Sequence, residues 1–457
     1  MSPRLERRLS VADAGALVVS NVIGVGIFTT PGIVCGILPR PAAVLAVWAL
    51  GGLLALFGAM AYAELAASKP RAGGEYVYLR EGFGPLAAFL TGWTSFVAGF
   101  SGAIAAGAIG LTAYLGRFFP GVADPAPLWN LSLGRVSVSL SRSTLIAIAV
   151  IVALGAVHIR GARPGRVIQD TLASALIVGL LLFIAFGFAL GRGSLENFSG
   201  GRTTSPSSWL FALIPVMFSY SGWNAAAYVA EEVRAPGRSV PLALGFGTAA
   251  VIAIYLGLNA LYLYALPVGE LSGRIDAARS AAEQLLGPTA AGWLAVLAIV
   301  IIVSSLSAMT LAGPRVYYAM ARDGVFFPAA ARVHPKFGTP AVAIAAQTAW
   351  SCLLVLSGTF EQLLTYTGFA IVLFSAAAVC ALFVLRRKTP EAPRPFRAWG
   401  YPIAPAIFAI ASFAIVVNAV REAPGPSAIG LLVMSAGIPL YWWMRRRGHR
   451  SRQSSCG

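Results

Sequence analysis

Charge is scarce in this sequence. Of its 457 residues only 11% are Asp, Glu, Lys or Arg, and 58% are hydrophobic. A soluble domain carries about a quarter charged residues, so this chain has too little charge to cover a water-facing surface. Most of its surface must face lipid. Cysteine is nearly absent as well. Cys35, Cys352 and Cys380 lie in apolar stretches and Cys456 near the chain end, with no CxxC or Cys/His spacing. That pattern excludes a disulfide framework and gives no metal site. The three histidines, His158, His334 and His449, fall in loops or near the ends of apolar stretches. No constellation of acids, histidines or metal ligands stands at depth, so an enzyme is not expected and no cofactor is implied. A channel is disfavoured by the lack of a repeated filter or a charged ring.

What is present is a series of long apolar runs. A bilayer core takes about 20 mainly apolar residues per helix. Twelve spans are expected, near 11–38, 41–67, 85–116, 143–159, 166–191, 207–232, 239–266, 288–321, 340–357, 361–385, 402–420 and 425–444. The first is too long for a signal-peptide core and no small-residue cleavage site follows it. The eighth is long enough to tilt or to extend beyond the membrane. The net charge of +17 is read as topogenic rather than as a nucleic-acid signal. If the N-terminus is inside, 25 of the 34 Lys and Arg fall on inner segments and nine on outer ones. That asymmetry predicts a multi-pass protein with both termini cytoplasmic.

Two spans are interrupted. The first contains Asn21-Val22-Ile23-Gly24-Val25-Gly26-Ile27-Phe28, followed by Pro31. Mid-helix glycine costs about 1 kcal/mol relative to alanine, so a break is expected. The sixth contains Pro215 and then Phe218-Ser219-Tyr220-Ser221-Gly222-Trp223-Asn224, a run of hydrogen-bonding side chains that need partners at membrane depth. Glycine pairs in such helices often serve close packing instead. Spans one and six, however, hold matching positions in two five-span halves. Five is odd, so the second half enters the membrane inverted. Paired interrupted helices in an inverted repeat point to a carrier's binding site. After each break a half-helix offers free N–H groups to a carboxylate, and before it free carbonyls suit an ammonium. An amino acid presents both charges.

These segments carry a resemblance. Gly24-Val25-Gly26-Ile27-Phe28 is similar to the first-span break of the amino acid–polyamine–organocation superfamily. Phe218 to Asn224, with Glu231-Glu232 and Pro236 to Pro241, resembles the sixth-span region of its L-type amino acid transporter branch. Gly73-Gly74-Glu75-Tyr76-Val77-Tyr78 and Gly313-Pro314-Arg315 to Gly324 are similar to further superfamily signatures. The resemblance implies an all-α fold of LeuT type: repeats over 11–191 and 207–385, two further helices over 402–444, and tails at 1–10 and 445–457. It implies amide contacts to a substrate carboxylate at Gly24, Val25 and Gly26, with Ile27 beside them. Carbonyls of Val22, Ile23, Phe218 and Ser221 would lie near the amine. Phe218 would close over the substrate, and Ser219 and Asn224 would line the pocket. The implied function is a secondary active permease, moving amino acids by alternating access.

Coupling is read from residues that depart from that pattern. Several sodium-independent relatives carry a lysine in span five; Leu176 stands at that position here. Ser304, Ser305, Ser307 and Thr310 in span eight offer hydroxyls to a hard cation, although helix hydroxyls usually bond back to their own backbone. Ser304, Ser307 and Thr310 form the candidate cation site, and exchange or uniport is the simpler expectation. The spans carry no acid at mid-depth, which favours neutral amino acids over dications. The third loop, Arg117 to Arg142, lacks a cysteine, so no covalent heavy-chain partner is expected; that fits a bacterial inner-membrane protein whose partners are its substrate and the bilayer. The second loop is expected to form a short interfacial helix. The residues leave open a proton- or sodium-coupled symporter, a carrier of polyamines or other organocations, and a sensor that binds amino acids without net transport.

Overall fold

The computed structural model describes residues 5–453 apart from 25, 134–135, 275, 359 and 423; the side chains of 132–133, 136–137, 162–163, 291, 360–367 and 447–453 are likewise outside the description. Val25 and Cys456 therefore lie outside the described residues.

The first part of the chain forms α1 (Val11–Val22), α2 (Gly26–Ile37), α3 (Pro41–Ser68), α4 (Glu75–Phe83), α5 (Pro85–Thr94) and α6 (Phe100–Leu115). A hairpin follows, β1 (Pro127–Leu133) and β2 (Val136–Ser141), then α7 (Arg142–Ile159) and α8 (Ala162–Leu190). The second part forms α9 (Pro206–Ser219), α10 (Ala225–Tyr228), α11 (Pro236–Ala265), α12 (Val268–Leu271), α13 (Ala277–Leu286) and α14 (Pro288–Arg322). It ends with α15 (Ala341–Ser357), α16 (Phe360–Lys388), α17 (Ile403–Glu422), α18 (Pro424–Ser435) and α19 (Gly437–Gln453).

Among the described residues nine helices are long and apolar enough to cross a membrane, ten if the bent pair α1 and α2 is one span. Two shorter apolar helices, α9 and α15, fall below that length. The sixth stretch is not a continuous helix: α9 ends at Ser219, a turn follows, and α10 begins at Ala225. The molecule is mostly helical, with one addition. Residues 127–133 and 136–141, expected as loop, pair as an antiparallel two-stranded sheet with Leu131 opposite Val138. Its register is irregular between Pro127 and Trp129.

Helix ends follow local chemistry. Ser10 caps α1 by accepting from the Asp13 amide at 3.2 Å, while Asp13 Oδ2 accepts from the Ser10 amide at 2.7 Å. This reciprocal box satisfies two donors that a helix start leaves open. Ser141 and Thr144 repeat it at α7. Proline opens α3, α5, α9, α11 and α14 at a position where its missing N–H costs nothing. A π-helical turn at Ser95–Gly99 joins α5 to α6; such turns concentrate at functional sites.

The core lies where α1, α3, α11 and α14 pack around the two breaks. Trp48, Tyr62, Tyr220 and Tyr255 are fully buried there. Trp48 and Tyr255 meet edge to face at 5.5 Å between ring centres, a favoured aromatic geometry. The opposite pattern holds on α8, where Val178, Leu181, Leu182 and Phe186 are about half exposed. On a bilayer-spanning helix that face meets lipid.

Candidate functional site at the two helix breaks

The axes of α1 and α2 differ by 48°. Ile23 leaves helical geometry with φ −75° and ψ 106°, and α2 restarts at Gly26. Its first amides have no partner within the helix. The second break lies beside the first. Gly222 takes φ +101°, and a Cβ there would stand 2.6 Å from the Asn21 carbonyl oxygen. Only glycine fits both the dihedral and the space. Asn21 Nδ2 donates to the Gly222 carbonyl at 3.1 Å, so the breaks are tied side chain to backbone. Ser219 Oγ donates to Thr30 Oγ1 at 2.8 Å, and a Cβ on Gly26 would approach Ser219 Oγ to 3.2 Å. Tyr255 of α11 completes the junction. Its hydroxyl lies 3.1 Å from the Val22 carbonyl oxygen and 3.0 Å from that of Ser219, serving one open carbonyl of each broken helix.

A cavity of about 400 Å³ opens against this junction. Asn21, Val22, Gly24, Gly26, Phe218, Ser219, Ser221, Gly222 and Asn224 line it. The wall opposite comes from the π-helical turn (Ser95, Gly99), from Phe100, and from Ser375 and Ser412. Phe218 leaves 59% of its surface exposed, so it is not packed as a core aromatic would be.

Seven of the expected site residues thus meet at one cavity: Val22, Gly24, Gly26, Phe218, Ser219, Ser221 and Asn224. Ile23 and Ile27 are fully buried behind it, where backbone is the part left to act. The candidate cation hydroxyls each have a separate partner. Ser304 donates to Ser20 Oγ at 2.8 Å, Ser307 Oγ lies 3.0 Å from His158 Nε2, and Thr310 bonds back to the Leu306 carbonyl at 2.7 Å. Ser305 reaches the cavity. Among the described residues no group of three or more His, Cys, Asp or Glu stands together to hold a metal ion. Leu176 is fully buried.

Two residues escaped the sequence reading. Tyr255 looks like any aromatic in an apolar run, and its spacing carries no signal. Glu75 stood in a quoted motif, but α4 was expected at the interface. Instead Glu75, Tyr76, Val77, Tyr78 and Leu79 are buried, and Glu75 lines the cavity. Its Oε1 accepts from Tyr62 Oη at 2.7 Å, Asn224 Nδ2 at 2.7 Å and Ser375 Oγ at 2.9 Å. Burial pushes its carboxyl above the usual carboxylate range, against the pull of these donors. Among the described residues the acid that lines the cavity comes from a helix between spans.

Near the chain start the bundle is closed by charge pairs. Arg315 makes a bidentate contact with Glu232 at 2.7 and 3.1 Å, both side chains being about 95% buried. Arg322 reaches Glu231 at 3.0 Å, and Arg80 and Tyr76 both engage Asp323. Residues 8 and 9 hydrogen-bond to 232 and 234 beside this cluster.

Two broken apolar helices meeting at a cavity inside a bundle of membrane-length helices define a membrane carrier. The family model of amino acid permeases matches residues 9–443, and the chain belongs to that family. It is 29% identical to the serine/threonine exchanger SteT of Bacillus subtilis, covering 97% of this chain and 98% of the relative. It is 28% identical to the human cystine/glutamate transporter, over 96% of this chain and 85% of that protein. The human large neutral amino acids transporter small subunit 2 is also 28% identical, over 96% and 80%. These relatives are transporters, and the chain is a permease rather than an enzyme.

Proposed function

We propose that this permease exchanges neutral amino acids across a bacterial inner membrane. The observation that carries the reading is the junction itself: backbone from two broken helices lines one cavity, whose described side chains are uncharged types apart from Glu75. Amides from Gly24 to Gly26 take the substrate carboxylate. Open carbonyls of Ile23, Phe218 and Ser221 take the amine, with Val22 available if Tyr255 yields. Phe218 folds over the bound substrate. Twelve spans are counted by adding α9 with α10, and α15, to the ten; the repeats are 11–191 and 207–385 in the inverted LeuT manner, and both termini are cytoplasmic. The separate partners of Ser304, Ser307 and Thr310 support transport without sodium. The chain works without a covalently bridged heavy subunit, its third loop having no cysteine.

The test is uptake of a labelled neutral amino acid mixture by proteoliposomes, with and without unlabelled amino acid inside. Uptake that requires internal substrate and ignores a sodium gradient is the expected result. Uptake driven by sodium overturns the exchange assignment. Binding without any uptake makes the protein a sensor. Tight binding of amines that lack a carboxylate makes it an organocation carrier.

A further inference from the structure

Glu75 is a carboxyl group in the cavity wall with no cation beside it among the described residues. Among the described residues, the charged side chains on the elements packed against α4 are engaged elsewhere or, like Arg387 of α16, exposed. Arg315 and Arg322 of α14 hold Glu232 and Glu231, and Arg386 of α16 holds Glu64. Lys388 of α16 donates to the Gly82 carbonyl, and Arg80 of α4 itself holds Asp323. Helix α5 carries no titratable side chain. What faces Glu75 is neutral: Tyr62 from α3, Asn224 from the second break, Ser375 from α16 and the Tyr228 hydroxyl, with Tyr78 on its own helix. A buried unpaired carboxylate is costly and sheds its charge by taking a proton. Three donors on one oxygen, and a place in the first turn of α4, favour the ionised form instead. The site is balanced between the two.

The carboxyl is linked to the second break and, through its neighbour on α4, to the charge cluster. Asn224 gives one amide hydrogen to Glu75 and the other to the Tyr228 hydroxyl at 3.1 Å, and Asn224 belongs to the broken segment that meets substrate. One residue further along α4, Tyr76 donates to Asp323 at 2.9 Å in the charge cluster near the chain start. A carboxyl group that trades contact with water for a drier surrounding favours its neutral form.

We propose that Glu75 binds and releases a proton in each transport cycle, making a proton the second cargo of this carrier. The proposal rests on the transport reading above and adds a coupled ion to it. The proton comes from cavity water on the loading side, sits on Oε2 while Oε1 keeps its three donors, and returns to water when the cavity opens on the other side. No bond to substrate forms or breaks.

The experiment records amino acid uptake and the signal of a trapped pH dye together, in liposomes carrying the full-length protein, at several outer pH values. The liposomes hold no amino acid, so that one inward half-cycle is read and is not cancelled by a proton leaving with internal substrate: proton entry in fixed ratio to the substrate that enters, rising as the loading side is acidified, is the expected result. Glu75→Gln keeps the acceptor oxygen and cannot ionise. Its proton-to-substrate ratio falls to zero and its uptake, scaled to its own maximum, loses its pH response, whatever its rate. Glu75→Asp restores both with a shifted midpoint. Wild-type uptake without proton movement, or proton movement persisting in Glu75→Gln, overturns the proposal and leaves the transport reading standing. So does a Gln variant that loses cationic amino acids alone, which makes Glu75 a side-chain counter-ion. If the wild type binds but does not transport, it is the transport reading that fails. Infrared difference spectra on adding substrate then decide the proton: a carboxyl band that changes in the wild type and is missing in Glu75→Gln supports it, and no such band overturns it.

Discussion

The cavity and the closed end beside the chain start solve the same problem in opposite ways. Both bury polar groups in an apolar bundle. At the closed end the groups are ions held in pairs: Arg315 with Glu232, Arg322 with Glu231. At the cavity they are backbone amides, hydroxyls, an amide side chain and one uncompensated carboxyl. Paired ions resist separation because each leaves the other uncompensated in low dielectric. Neutral donors exchange partners at small cost, since a hydrogen bond nets only about 1 kcal/mol. The first region suits a lock and the second suits a surface that must bind and let go.

That contrast breaks most visibly at Arg315. Arg315→Ala strands the Glu232 carboxylate and should cost about 3–5 kcal/mol, read as a large fall in thermal midpoint of the purified protein. A loss of less than 1 kcal/mol would show that the closed end is not held by this pair. Next comes Tyr255→Phe, which removes the hydroxyl facing the Val22 and Ser219 carbonyls. The cost should be about 1–3 kcal/mol for an acceptor left unserved, and substrate affinity measured by titration calorimetry should change with it. An unchanged affinity would separate Tyr255 from the site. The smallest stability effect belongs to Phe218→Ala. The side chain is mostly exposed, so the midpoint should shift by no more than about 0.5 kcal/mol, while KM rises. A large destabilisation with KM unchanged would make Phe218 an ordinary packing residue.

Much of this was legible in the sequence, and for a physical reason. Glycines and polar side chains inside apolar runs are anomalies that demand an explanation at membrane depth. Gly24, Gly26 and the run from Ser219 to Asn224 announced themselves that way, and seven of the residues so marked line the cavity. The ends of α3, α7 and α14 were legible because charge and proline flank them. What stayed hidden depends on packing between distant segments. A mixed segment such as 75–83 reads as amphipathic, and nothing local says that α16 covers it and carries Glu75 to the cavity. Tyr255 is one of many buried tyrosines, and its role is fixed by carbonyls more than 30 residues away. The strands at 127–133 and 136–141 were legible and missed: Trp129-Asn130-Leu131-Ser132-Leu133 and Val136-Ser137-Val138-Ser139-Leu140 alternate apolar and polar, the period of a strand.

The residues that lead into α1 have a mechanical consequence. The amides of Arg8 and Leu9 both reach the Glu232 carbonyl, at 2.8 and 2.9 Å, and the Arg234 amide returns to the Leu9 carbonyl at 2.8 Å. The thread leading into α1 is stitched to the segment just past α10. Swinging the near end of α1 aside therefore means unpicking that seam first, and the seam sits on the same Glu232 whose side chain clasps Arg315. The two broken helices are fastened together at their outermost turns as well as at their breaks, so neither is free to tilt alone.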